Sequence, residues 1–409
     1  MRAFLACVLA AALLLSPALA GAETRLMAVS DLHYLAPEYY RGSELFLRAL
    51  RSGDGKMPQY GEELMAALLA EAQRARPDAL IVTGDLTFNG ERASHEKLAA
   101  WFSRFETAGI PVWVIPGNHD INSPSARAYL PNGWAEKENV TPEMFAEIYA
   151  DFMLPGNGSA NLSYTVPVND GLWLAMTDVS VYRPAAQTFG LYTAGHDKWL
   201  RETLRQARAA GAEVITCTHQ NLIAHTSFLR DSFLMLGSES MAALAREYGV
   251  RLNLSGHMHV QHIAEQEGLT DAALGGFCLY PHRYALIALA EDGILRYEAL
   301  SLSDDFLPEG FLRQSRDWFT GITKEKTAAS LSGMEIPAED RETMLDYMAR
   351  FNLAYFSGEY SSDDASWRED AGYKLWAQYA RPVLDAYLGQ VMEESPGSQL
   401  QRMLPPIRR

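Results

Sequence analysis

The 409-residue chain is 48% hydrophobic and 21% charged, a balance that excludes extended disorder and provides for a sizeable core. Its 51 acidic against 35 basic residues leave a net charge of −16, which repels nucleic-acid polymers and anionic membranes, and no Lys/Arg run offsets it. With only three cysteines there is no disulfide framework, so the fold must be held by burial.

The chain opens with Arg2, an apolar stretch over 3–15, Pro17 and the small-residue pattern Ala18-Leu19-Ala20. This order predicts a signal peptide over residues 1–20 and a mature protein that is periplasmic, cell-surface or secreted. The apolar run is shorter than the ~20 residues of a spanning helix, which disfavours an uncleaved anchor. No later segment is apolar enough to span a bilayer. Cleavage removes Cys7 and leaves Cys217 and Cys278, which either pair or stay as two buried thiols.

Residues 26–29 read as a strand. The connection over 34–60 is long and predicts a wall beside an active site. Tyr39 and Tyr40 within it are candidates to stack on a base, with ordinary packing the plainer reading. A helix follows over 62–76, with Leu64, Leu68, Leu69 and Ala72 at helical spacing and Pro77 as its stop. Next come a strand at 79–82, a helix at 94–108 stopped by Gly109, and a strand at 111–115. This β-α-β-α-β order implies parallel strands joined by right-handed crossovers.

Further on, a strand at 171–177, a helix at 197–210 closed by Gly211, and strands at 213–216 and 251–254 continue the pattern. Residues 276–290 and 294–299 alternate in a more antiparallel way around Glu291-Asp292-Gly293. The expectation is an α/β domain over 21–303 with a mixed sheet or two stacked sheets. Residues 304–409 lack strong β runs and predict a helical domain, with helices at 340–352 and 372–392. Its many aromatics suit helices packing on themselves and on the main domain. A lobe that caps substrate or binds a partner is the sharper alternative.

Five strands each deliver Asp, Asn or His just past their C-terminal end: Asp31-Leu32-His33, Gly84-Asp85, Gly117-Asn118-His119-Asp120, His219, and Gly256-His257-Met258-His259. Sites in open α/β sheets lie at that edge. The i,i+2 pairs Asp31/His33 and His257/His259, read as extended chain, put both side chains on one side. The glycines ahead of Asp85, Asn118 and His257 let the backbone turn sharply. Singly, each motif has a plain explanation as a turn, a helix cap or a chance pair. As an ordered set they point to a metal site.

The same series resembles the calcineurin-like metallophosphoesterases over about residues 25–300. The long segment after the first motif and the helical extension are most similar to bacterial class III cyclic-nucleotide phosphodiesterase-like members. The resemblance implies two stacked mixed β-sheets flanked by helices. It also implies two divalent or trivalent ions, one on Asp31, His33, Asp85 and His259, the other on Asp85, Asn118, His219 and His257. Asp85 would bridge them. Imidazole and carboxylate donors suit manganese, iron or zinc. The expected reaction is attack on phosphorus by a metal-bridging hydroxide, with His119 as proton donor to the leaving oxygen or as stabiliser of the transition state.

The expected substrate is a small-molecule phosphate ester, a cyclic nucleotide or nucleotide-like diester, with a phosphomonoesterase or nucleotidase as the alternative. A binding protein that retains metals without turnover is the non-enzymatic one. His225 and His282 are weak candidates to line the substrate pocket. The oligomeric state is not legible.

Overall fold

The computed structural model describes residues 23–155, 161–228, 230, 232–394 and 396–406. The expected signal peptide over 1–20 lies outside the described residues. In chain order the strands are β1 (Thr24–Val29), β2 (Ala79–Val82), β3 (Val112–Val114), β4 (Arg127–Leu130), β5 (Gly133–Glu136), β6 (Tyr164–Pro167) and β7 (Leu172–Met176). They continue with β8 (Glu213–Cys217), β9 (Leu252–Ser255), β10 (His262–Gln266), β11 (Leu269–Ala273), β12 (Arg283–Leu289), β13 (Leu295–Ser301) and β14 (Gln401–Leu404).

One six-stranded sheet has the order β14-β13-β12-β1-β2-β3, and a second has β10-β11-β9-β8-β7-β6. β1, β2 and β3 run parallel, as do β7, β8 and β9. Both sheets are mixed, and they stack.

Side-chain alternation explains the layers. In β2, Ala79 and Ile81 enter the core between the sheets, whereas Leu80 and Val82 face the helices Gly61–Ala75 and Arg92–Thr107. All four are buried, as expected of a strand covered on both faces. In the second sheet Leu174 and Ile215 enter the inter-sheet core, while Ala175 and Val214 face the helices Ala194–Ala210 and Ser238–Tyr248. Period-2 strands between period-3.6 helices thus give helix, sheet, sheet, helix. Predicted stops hold: Gly61–Ala75 ends on Arg76 in a left-handed conformation before Pro77, and Ala194–Ala210 ends on Gly211.

Three expectations need correcting. The strand expected from 276 begins only at Arg283, because 276–282 turns away after an isolated bridge between Gly276 and Ser30. The helix expected over 372–392 breaks after Ala371–Tyr379, where Pro382 enters the first turn of Arg381–Val383, and a π-helical turn follows at Leu384–Leu388. The unit over 304–409 is not purely helical. Its tail returns as β14, antiparallel to β13, with Leu404 in the inter-sheet core. A four-residue edge strand that shows one face to solvent carries little β signal in sequence.

The lobe helices Ala338–Phe356 and Ala371–Tyr379 pack around Trp376, whose indole N–H donates to the Met344 carbonyl at 3.0 Å, and Phe311–Ser330 packs against Ala338–Phe356. Met258 and Val260, beside the last histidine motif, join this lobe core. No helix among the described residues is long and apolar enough to cross a membrane.

Candidate metal centre

The seven residues expected as ligands converge at the C-terminal ends of β1, β2, β3, β8 and β9. Asp31, His33, Asp85 and His259 form one cluster of donor atoms and Asp85, His219 and His257 a second, with atoms in each within 4.8 Å of one another. Asn118 joins the second, its Oδ1 lying 3.1 Å from His219 Nε2. Asp85 belongs to both. Its Oδ2 is 3.6 Å from His33 Nε2 and its Oδ1 is 3.3 Å from His219 Nε2. Across the first cluster, His259 Nε2 lies 3.3 Å from Asp31 Oδ1 and 3.1 Å from His33 Nε2.

The backbone reason for this convergence differs from the expected one. Asp31, His33, Asp85, His257 and His259 all have positive φ, between 42° and 69°, so neither i,i+2 pair is extended. The His257/His259 pair is split between the clusters rather than facing one centre. Asp and His tolerate the left-handed region better than most residues, but each such conformation still costs of order 1–3 kcal/mol. The folded sheets must impose it. Of the glycines, Gly84 needs its positive φ of 97°. Gly256 instead leaves space: a Cβ there would lie 2.7 Å from Asp31 Oδ2.

Hydrogen bonds fix which nitrogen three of the four rings present. His219 Nδ1 donates to the Thr83 carbonyl at 2.9 Å and His257 Nε2 to that of Ser232 at 3.0 Å, leaving the other nitrogen of each as the lone-pair donor. His259 Nδ1 donates to Asp54 Oδ2 at 2.5 Å. Asp120 is no helix cap. Its carboxylate accepts from the N–H groups of Leu86, Thr87 and Gly117 at 2.8–3.0 Å, tying the second motif to the third.

Charge at the centre fits cations. Burial holds His33 well below the ordinary imidazole range and His257 down at about 3, so both rings are neutral. Burial would lower His219 too, but the Asp85 carboxylate outweighs it and lifts the ring to about 9. At His259, burial and Lys56 lower the value while Asp54 and Asp31 raise it, again to about 9. The buried carboxylates therefore call for positive charge at the two points the histidine nitrogens face. The donor set of imidazoles, carboxylates and one amide suits a pair of metal ions.

His119 stands beside both clusters without joining either. Its Nδ1 donates to the Phe88 carbonyl at 2.7 Å, and its Nε2 lies 4.0 Å from Asp85 Oδ2. It lines a cavity of about 490 Å³ with Asp85, Asn118, His257 and His259.

Two substrate candidates are corrected. His225 is buried, with Nδ1 2.9 Å from His262 Nδ1 and Nε2 3.4 Å from Asp271. His282 Nδ1 donates to the Phe277 carbonyl at 2.9 Å, and its Nε2 accepts from the Ser315 hydroxyl at 2.8 Å. Neither opens on the cavity, because both rings satisfy buried polar groups inside the fold. Tyr40 stacks on Phe46 and Tyr39 lies under Lys137, so both are packing residues. Cys217 and Cys278 are separate buried thiols.

Asp54 was missed. It sits in the long connection after β1, and the only signal was the length of that segment. Lys56, with its Nζ 3.9 Å from the same Asp54 oxygen, keeps the carboxylate ionised.

Comparison with known proteins agrees. The family described as calcineurin-like phosphoesterase matches residues 24–261, and one described as the C-terminal domain of cyclic nucleotide phosphodiesterase matches residues 310–396. A protein of Synechococcus sp. named as a probable cyclic nucleotide phosphodiesterase is 25% identical over 205 residues, 50% of this chain and 66% of that protein. One of Arcobacter nitrofigilis named as a probable glycerophosphodiester phosphodiesterase is 33% identical over 66 residues, 16% of this chain and 23% of that protein. The matches thus span less than two thirds of either relative. A dimetal phosphatase from Danio rerio shares the fold, with a TM-score of 0.50 at 13% identity over 68% of this chain and 96% of its own. With more than half its length matched, the chain belongs to the calcineurin-like phosphoesterase family.

Proposed function

We propose that this chain hydrolyses small phosphodiesters at a metal pair, with manganese, iron or zinc as the ions. The observation that carries the reading is Asp85, whose two carboxylate oxygens face two separate donor clusters. Asp31, His33, Asp85 and His259 would hold one ion, and Asp85, Asn118, His219 and His257 the other. When bound, such a pair neutralises charge on the phosphoryl oxygens and acidifies water.

The remaining steps belong to side chains. The carbonyls of Thr83 and Ser232 and the Asp54 carboxylate hold the ligand rings in the tautomers that present lone pairs. The Phe88 carbonyl accepts from His119 Nδ1–H, which turns Nε2 toward the cavity and stabilises the ring once Nε2 is protonated. From there His119 passes a proton to the leaving oxygen.

Preference for a diester rests on the names of the two relatives and on the match over 310–396. The test is the rate on bis-(p-nitrophenyl) phosphate against p-nitrophenyl phosphate with added Mn²⁺, followed by a cyclic-nucleotide panel. A faster diester is expected. Monoester preference would assign the chain as a phosphomonoesterase, and bound metal without any hydrolysis would leave a metal-retaining binding protein.

A further inference from the structure

Five aromatic side chains line the cavity together with the candidate metal ligands, and the Phe233 ring lies 5.0 Å from that of His257. Phe228 and Phe233 come from the segment after His219; Tyr355 and Phe356 come from the end of the helix Ala338–Phe356, and Tyr387 from the π-helical turn. Asn352 joins them. We propose that this wall is a subsite for a planar aromatic group carried by the phosphate ester, namely a nucleobase or an aryl leaving group. The assignment rests on the phosphoesterase reading, since it takes the phosphate to lie at the metal ligands.

The geometry supports that occupant. The cavity, about 490 Å³, falls within the ~300–1,000 Å³ of small-molecule sites, and the same space reaches Asp85, His119 and His257. A group held against the wall is therefore tethered to whatever occupies the centre. Phe228 is 46% exposed, with its ring 4.9 Å from that of Tyr387 and tilted by 56°. An exposed phenyl ring is stabilised when another apolar face covers it.

The wall carries no cation, so it selects by ring faces rather than by charge. Its polar group is directional: Asn352 Oδ1 accepts from the Tyr387 hydroxyl at 2.7 Å, which leaves the amide N–H pair to donate. Tyr387 projects from a π-helical turn, a rare conformation that concentrates at functional sites. The wall is also fixed relative to the centre. Met258, between the ligands His257 and His259, is part of the lobe core that includes Phe351, Tyr355 and Leu384.

The experiment measures binding to the Mn²⁺-loaded full chain by calorimetry. Two ligand pairs are compared, adenosine 5′-monophosphate with ribose 5-phosphate and phenyl phosphate with methyl phosphate. The wild type is expected to prefer the aromatic member of a pair by on the order of 10-fold, as stacking on aromatic side chains typically gives. Phe228→Ala and Tyr387→Ala should each shrink that ratio several-fold, and the half-exposed position of Phe228 keeps its variant folded. Preference in the first pair assigns the subsite to a nucleobase; preference in the second alone assigns it to a simple aryl group. Equal binding within both pairs, or ratios unmoved by both substitutions, overturns the subsite even if the protein hydrolyses phosphate esters. An intact preference with no hydrolysis of any ester overturns the phosphoesterase reading and leaves the subsite standing.

Discussion

The metal centre and the helical lobe that walls its cavity are built by opposite means. At the centre every candidate ligand is polar, five of the seven have positive φ, and hydrogen bonds set three of the four ring tautomers. In the lobe the residues are mostly apolar, their backbones are helical, and packing around Trp376 and Phe351 does the work. The centre holds strain that the sheets must offset; the lobe contributes burial. The two regions meet at Met258, which lies between His257 and His259 in the chain and packs in the lobe core.

The sharpest way to break this comparison is Asp85→Ala. It should remove both ions at once and bring hydrolysis to background, as read by metal analysis beside the rate. A variant with full metal content and rate would show that Asp85 bridges nothing. His119→Ala should keep both ions and slow turnover by ~10²–10⁴-fold, the usual cost of a lost general acid. Unchanged turnover would take His119 out of the mechanism.

Asp54→Ala should weaken the ion held by His259 by about 10–100-fold, as loss of a residue that orients a ligand histidine does. Asp54→Asn, which still accepts from Nδ1–H, should recover part of that loss. A metal titration reads both variants, and equal affinities across them and the wild type would make Asp54 a bystander. Trp376→Ala probes the other region. It should destabilise the fold by ~3–5 kcal/mol in thermal unfolding while the folded fraction keeps its two ions. Loss of metal from the folded protein would mean that the lobe core and the centre are one unit.

The candidate ligands were legible because metal chemistry restricts residue type. Asp31, His33, Asp85, Asn118, His219, His257 and His259 could be picked out by identity and by their place after apolar β runs. The layered fold was legible for a related reason, since strands such as β2 carry unbroken apolar runs. The hairpin of β10 and β11 escaped notice because its first strand, His-Ile-Ala-Glu-Gln, has one buried and one solvated end. Asp54 escaped because a lone aspartate in a long connection carries no pattern.

What the amino-acid order determined by itself was which elements form and which side chains must meet, through periodicity, stops and the chemistry of donors. The tertiary structure alone decided the left-handed backbone at the ligands, the sharing of His257 and His259 between two clusters, the reach of Asp54 and the strand that ties the tail to the first sheet. These depend on distances between segments far apart in the chain, and such distances exist only once both sheets have packed.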